Sequence, residues 1–365
     1  MKTPFKLNKD HIFLYLNYLY IKNSLILDIF DRTGFDDFFE KDRGFYDFLT
    51  DSQYKKIFSS ENLENFARYL DKLYEGDYKY INILDESYPE NLRHIEDRPA
   101  VLYYKGEFDK EADKNSLAFV GSRKCTAYGK WAAKTLAEKI SEAGLTSVSG
   151  LAYGIDAISH KASLDLGKRT IGIIGCGIDK IYPRQNKDLY RRIEETGLIL
   201  SEFPLGTDPK AYNFPRRNRI ISGISLGTVV IEAKEKSGTM ITVRCALEQG
   251  RDVFAVPGNI NSIYSKGTNK MIQEGAKLVL SADDIIEELS YLLDLSSQKK
   301  VLDYEKLDKD EGQVVRYIGN CPNSSADKIG DALGLEIDIV NYLLTSLELK
   351  DYIENIGNNE FTIKE

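Results

Sequence analysis

Three arginines and an asparagine occupy four consecutive positions, Arg216-Arg217-Asn218-Arg219, directly after Phe214-Pro215. Guanidinium groups grip phosphate oxygens and also stack on bases, and a phenylalanine supplies a flat apolar platform. On a helix, Arg216 and Arg219 share a face while Arg217 points elsewhere. The spacing therefore predicts that Arg216 and Arg219 meet a ligand and that Arg217 matters less. Gly121-Ser122-Arg123 is a second candidate. A glycine there lets backbone amides approach an anion, a helix start adds partial positive charge, and Arg123 can grip phosphate with two N–H groups. The stretch GSRKCTAYGK lacks the GxxxxGK[ST] spacing of a P-loop.

Further along, Ser237-Gly238-Thr239 follows Glu232 and opens a helical pattern. Ser237 and Thr239 can cap that helix, and the free amides at its start can bind phosphate. Ser149-Gly150 ends a strand pattern with small residues that let another backbone pass close by. Asp156 and His160 lie four apart, on one helical face. No third metal ligand accompanies them, so an intrahelical hydrogen bond or a cap is the expected role. Gly175 and Gly177 begin a dinucleotide-like GxGxxG, but Lys180 stands at the last glycine position. Arg184 adds a cation near the same edge.

These groups need elements to hold them. From Ser116 onward, short apolar runs alternate with helical stretches: SLAFVG, LTSVSG, TIGIIG, GLILSEF, GTVVIEA, DVFAVPG and KLVLSA. Each reads as a buried strand ending in glycine, serine or a carboxylate. Alternation of this kind implies right-handed crossovers and a doubly wound parallel sheet in an α/β domain over 116–290. Ligands in such folds sit beyond the carboxyl ends of the strands, which is where every candidate above lies. Residues 1–80 carry Phe, Tyr, Leu and Ile at helical spacing and predict an N-terminal helical domain whose aromatics form a core. A connecting segment over 81–115 holds a short strand near Val101–Tyr104, and 291–310 reads as a polar linker. Residues 311–365 read as helix, turn, helix and hairpin, an order that resembles a winged helix.

The whole chain of 365 residues has a net charge of −8, with 42% hydrophobic and 29% charged residues. Its distribution is uneven. Residues 116–282 hold 24 basic and 15 acidic side chains, a balance of +9, whereas 1–115, 283–310 and 311–365 carry −6, −5 and −6. A basic centre between acidic flanks implies one polyanion-binding face. Four well-separated cysteines form no CxxC pair, so neither a zinc site nor a disulfide framework is expected. No signal-peptide pattern and no membrane-spanning run are visible, and with the separated cysteines a reduced cytoplasmic setting without a membrane partner is the expectation.

The eight stretches VGSRKCTAYG, SGLAYGIDAISH, GIIGCGIDKIYPRQN, SEFPLGTDP, FPRRNRIISG, EAKEKSGTMIT, GRDVFAVPGN and KGTNKMIQEGAKLV together, in this order, resemble the DNA-processing protein A (DprA/Smf) family. The resemblance implies a Rossmann-like domain that binds single-stranded DNA without hydrolysing nucleotides, and so neither an enzyme nor a cofactor. It implies a dimer that protects incoming DNA in natural transformation and loads a RecA-type recombinase for recombination. Carried over by position, Gly121, Ser122 and Arg123 form part of the DNA pocket, Ser149 and Gly150 line it, and Arg184 and Phe214–Arg219 supply charge and stacking. A competing expectation is an N-glycosidic hydrolase related to the phosphoribohydrolases, with Glu232 as its glutamate, although the PGGxGT loop of those enzymes is absent. In the last segment, the helix over 336–348 carries three carboxylates and no Lys or Arg. Its residues Ile337, Val340, Leu343, Leu344 and Leu347 suit a small core. That helix predicts an interaction or regulatory module and not a groove reader.

Overall fold

A computed structural model describes residues 7–293 except Asp36, and 307–363 except Pro322, Asp351 and Asn358. Most of the linker expected over 291–310 lies outside the described residues. The chain divides into two compact units, 1–293 and 294–365.

The first unit opens with α1 (Lys9–Tyr18), α2 (Asn23–Thr33), α3 (Asp51–Ile57) and α4 (Ser60–Glu75). Asn8, Thr50 and Ser59 cap three of them by accepting an amide of the first turn, each replacing one bond that a helix start lacks. The aromatic residues behave as the periodicity predicts. Phe13, Tyr15, Tyr46 and Phe66 are fully buried and belong to one apolar core that continues into the sheet at Val101, Leu102 and Tyr103.

The strands are β1 (Lys79–Asn82), β2 (Val101–Gly106), β3 (Ser116–Val120), β4 (Thr146–Ser149), β5 (Thr170–Ile173), β6 (Leu198–Ser201), β7 (Gly227–Val230), β8 (Asp252–Ala255) and β9 (Lys277–Leu278). All seven apolar runs form strands. Among the described residues these strands make a nine-stranded sheet in the order β1-β2-β6-β5-β4-β3-β7-β8-β9. From β6 to β9 every neighbouring pair is parallel. β2 runs antiparallel to β6, and β1 antiparallel to β2. Every residue of β3 through β7 is buried, as continuous apolar runs in a covered parallel sheet require.

The accompanying helices are α5 (Glu90–Arg93), α6 (Lys110–Lys114), α7 (Ala127–Glu142), α8 (Ile155–Asp165), α9 (Lys187–Thr196), α10 (Asn213–Ile224), α11 (Thr239–Glu248), α12 (Lys266–Gln273) and α13 (Asp283–Leu289). The chain steps from β3 outward through β4, β5 and β6, then returns through α10 to place β7 on the other side of β3. The strand order therefore reverses between β3 and β7, and the loops leaving these two strands part from each other. Such a switch point opens a crevice at the carboxyl edge of the sheet.

The second unit contains α14 (Lys309–Asn320), β10 (Ser324–Ser325), α15 (Ala326–Leu333), α16 (Ile337–Leu349), β11 (Ile353–Gly357) and β12 (Glu360–Ile363). Its three strands pair antiparallel in the order β10-β12-β11. Val340, Leu343, Leu344 and Leu347 of α16 are buried in a core with Val314, Ile329 and Phe361. Ile337, expected in that core, is exposed instead. Glu311 is buried and accepts from Lys350 Nζ at 2.6 Å and Ser346 Oγ at 2.7 Å. Among the described residues of both units, no helix is long and apolar enough to cross a membrane.

Candidate functional site

The crevice at the switch point is a cleft of about 700 Å³. The loop from β3 to α7 lines it with Gly121 to Lys124, the start of α10 with Phe214, Pro215, Arg217 and Asn218, and the β7–α11 loop with Lys234 and Ser237-Gly238-Thr239. Nine of the sequence-predicted residues line it: Gly121, Ser122, Arg123, Phe214, Arg217, Asn218, Ser237, Gly238 and Thr239. Ser149, Gly150, Arg184, Arg216 and Arg219 do not.

The three arginines divide in the opposite sense to the expectation. Arg216 and Arg219 do share a face of α10, but both reach toward Glu202 and neither lines the cleft; Arg219 is buried, whereas the Arg216 side chain stays exposed. Arg219 Nη2 lies 2.6 Å from Glu202 Oε2 and its Nε lies 2.8 Å from Asp97. Arg216 reaches the same Glu202 oxygen at 3.7 Å and sits over the Phe203 ring. Glu202 stands just after β6 and is buried. The preference of a buried carboxylate for guanidinium partners thus turns this face away from the cleft.

Arg217 forms the cleft floor. Its guanidinium is buried and donates to the carbonyls of Gly150, at 2.7 Å, and of Ile173. A Cβ on Gly150 would lie 2.4 Å from Arg217 Nη1, so only glycine lets this side chain pass beneath the end of β4. Gly150 positions Arg217 and does not line the cleft. Ser149 likewise holds the frame, donating from Oγ to the Phe119 carbonyl at 2.6 Å. Burial lowers the pKa of Arg217. Asp156 also lines the cleft and accepts the Gly150 and Ala152 amides at 3.2 and 3.4 Å. Burial raises its pKa, against the pull of nearby Arg217.

Phe214 collects the charged groups. Arg123 lies 5.7 Å and Arg217 6.0 Å from its ring centroid, and Tyr182 packs beside it at 5.5 Å. A ring flanked by two guanidiniums is held by cation–π attraction, and both cations face the cleft. At α11 neither Ser237 nor Thr239 caps the helix. Gly238 occupies the cap position without a side-chain bond, and the buried Ser237 Oγ has no partner. The helix start stays available to an anion. At α7, by contrast, Thr126 is the cap and accepts the Gly129 amide at 3.1 Å.

Glu232 is committed elsewhere. Its carboxylate accepts the Thr126 amide at 2.9 Å and the Thr126 hydroxyl at 2.5 Å. It lies outside the cleft, packed so closely under Gly129 that a Cβ there would sit 2.4 Å away. The glutamate required by an N-glycosidic hydrolase is therefore locked beneath a helix start.

The Asp156–His160 pair also differs from expectation, because His160 bonds across to the sheet. His160 is fully buried, with Nδ1 2.7 Å from Thr170 Oγ1 of β5. Burial, with Arg217 nearby, pushes its pKa down to about 3. An unfolded chain takes up this proton near pH ~6.5, so the folded state's advantage is present above that pH and is lost as pH falls toward 3. Between about pH 7 and pH 5 the wild type is expected to lose about 2 kcal/mol relative to His160→Gln, read from urea midpoints. Parallel pH profiles would show that His160 charges freely in the folded protein.

Lys124, Tyr182, Lys234 and Tyr264 also line the cleft, beyond the candidate site residues named from sequence. Lys124 adjoins Arg123, and Lys234 follows β7 closely, so inspection of every strand end finds both. The two tyrosines leave no such signal. Arg184 is exposed and outside the cleft.

The crevice at the switch point of this α/β sheet gathers cations, a helix start and an aromatic ring, groups suited to an anionic ligand. The family model described as DNA recombination-mediator protein A matches residues 79–290, and the chain belongs to that family. It is 44% identical over 245 residues to DNA processing protein DprA of Bacillus subtilis (strain 168), covering 66% of this chain and 82% of that protein. It is 45% identical over 210 residues to DNA processing protein DprA of Streptococcus pneumoniae, covering 58% and 74%. The X-ray structure of DNA processing protein A from Streptococcus pneumoniae is similar with a TM-score of 0.64 at 35% identity, over 78% of this chain and 99% of that one. A structure described as giving the single-stranded DNA binding mode of DNA processing protein A from Helicobacter pylori matches with a TM-score of 0.53 at 31% identity, over 59% and 96%.

Proposed function

We propose that the cleft binds the sugar–phosphate backbone of single-stranded DNA, without reading sequence and without hydrolysing nucleotides. The observation that carries this is the pair of guanidiniums, Arg123 and Arg217, flanking one phenylalanine ring in the cleft. Guanidiniums and the open start of α11 suit phosphates. The Phe214 ring suits the face of an unstacked base, which a duplex does not offer. The Helicobacter pylori relative, described by its single-stranded-DNA binding mode, supports the choice of polymer. In this account the chain protects DNA and loads a RecA-type recombinase in natural transformation and recombination, as a cytoplasmic homodimer. These roles rest on family membership.

For the domain plan we propose the division 1–80, 81–115, 116–290, 291–310 and 311–365, with the central part a Rossmann-like doubly wound sheet. The element order α14-β10-α15-α16-β11-β12 supports a winged helix for the last part.

The test compares a labelled single strand with a blunt duplex of equal length by fluorescence anisotropy. Single-strand binding is expected to be tighter by about tenfold or more, since one base–aromatic stack alone is worth roughly 1–3 kcal/mol. Equal or tighter duplex binding would overturn the proposal.

A further inference from the structure

α7 leaves the cleft carrying Lys130, Trp131 and Lys134, which do not line it, just beyond Arg123 and Lys124, which do. Residues 123–137 hold four cations, Arg123, Lys124, Lys130 and Lys134, and no carboxylate, in a chain of net charge −8. All four are exposed. Of the three lysines only Lys134 makes an ion pair among the described residues, 3.6 Å from Glu138.

Between these cations stand two exposed aromatics, Tyr128 and Trp131. Three apart, they are neighbours on one helix face, with ring centroids 6.0 Å apart and planes tilted by 32°. Tyr128 is fixed, because its hydroxyl donates to the Pro257 carbonyl at 2.9 Å. Trp131 is 62% exposed and is the only tryptophan in the chain. An indole left this open beside a fixed tyrosine is a flat apolar platform without a cover.

We infer that the exposed face of α7 continues the single-stranded-DNA path out of the cleft, with bases stacking on Trp131 and the backbone running past Lys124, Lys130 and Lys134. The inference rests on the DNA role proposed for the cleft and extends it. Trp131 lies five residues beyond the Thr126 cap, about 7 Å along the helix axis, so a strand leaving the Gly121–Lys124 loop meets it next. Charge favours nucleic acid over a protein partner. A polynucleotide brings a phosphate with every base to meet these cations, and its base faces fit exposed rings.

The single tryptophan provides the readout. Its emission is followed in the full chain while oligothymidylate of about 15 nucleotides is added, with anisotropy of the labelled oligonucleotide measured in parallel. Strong quenching that tracks the anisotropy is expected. Binding seen by anisotropy with unchanged emission would overturn the inference and leave the cleft assignment standing. No anisotropy change at all would remove the cleft assignment, and the inference with it. Trp131→Ala is expected to weaken binding of the same oligonucleotide about tenfold, the worth of one stacked base, and Trp131→Phe to recover most of that loss. Recovery separates stacking from a general loss of structure, and equal affinities for wild type and Trp131→Ala would count against the inference.

Discussion

Replacing Arg217 with alanine is expected to weaken single-stranded-DNA binding by about tenfold to a hundredfold, and to destabilise the first unit as well. The binding loss corresponds to one charge-assisted contact of roughly 1.5–3 kcal/mol in a desolvated site. The stability loss has a separate cause. The carbonyls of Gly150 and Ile173 receive the Arg217 guanidinium, and each buried carbonyl left without a donor costs roughly 1–3 kcal/mol. Asp156, whose charge Arg217 supports, would lose that support. Arg217→Lys keeps the charge but not the forked geometry, so it should recover part of the affinity and little of the stability. Urea denaturation and anisotropy on the same preparations separate the two effects. An alanine variant with wild-type affinity would remove Arg217 from the site.

Glu202→Ala is expected to behave in the opposite way, with a large stability loss and little change in DNA affinity. Its carboxylate is buried and takes Arg219 at 2.6 Å, with Asn23 Nδ2 at 3.4 Å. Truncating one partner of a buried pair leaves the other charge uncompensated, at about 3–5 kcal/mol. Asp97 remains beside Arg219 but is largely exposed, and screening discounts its help. The folded variant is expected to bind DNA within about twofold of wild type, because neither Glu202 nor Arg219 lines the cleft. If Arg219 were a phosphate ligand held back by Glu202, the variant would bind DNA more tightly, and that result would contradict the assignment.

These two variants mark where sequence and structure part. Apolar runs bounded by small residues are sufficient to locate all seven strands from β3 to β9; β3 through β7 are buried throughout and carry the pattern without interruption, whereas the two residues of β9 are exposed at the sheet edge. The rule that ligands lie beyond strand ends then found the Gly121, Phe214 and Ser237 loops. β2 is legible as the short strand near Val101–Tyr104, but β1, KYIN, is buried only at Ile81 and Asn82 and carries no apolar run, so its pairing with β2 and the antiparallel direction of that edge leave no local signal. The face of α10 was legible as geometry but not as environment. Helical spacing pairs Arg216 with Arg219 correctly. Only the fold brings Glu202, from the end of β6, against that face and leaves Arg217 to the cleft. Small residues at Ser149 and Gly150 signal close approach, and what approaches them is the β3 backbone and Arg217. Tyr182 and Tyr264 come from loops whose course no local pattern dictates.

The central claim is that phosphates of a single strand sit against the β3–α7 loop and the floor of the cleft. The most direct measurement is the affinity for a fixed oligothymidylate across a salt series, for wild type and Arg123→Ala. Arg123 lines the cleft, faces Phe214 at 5.7 Å and is exposed to ligand. The variant is expected to bind about tenfold or more weakly, and its log–log salt slope to shrink by roughly 0.7, the contribution of one released counterion on single-stranded DNA. Wild-type affinity together with a wild-type slope would mean that the strand does not touch this loop.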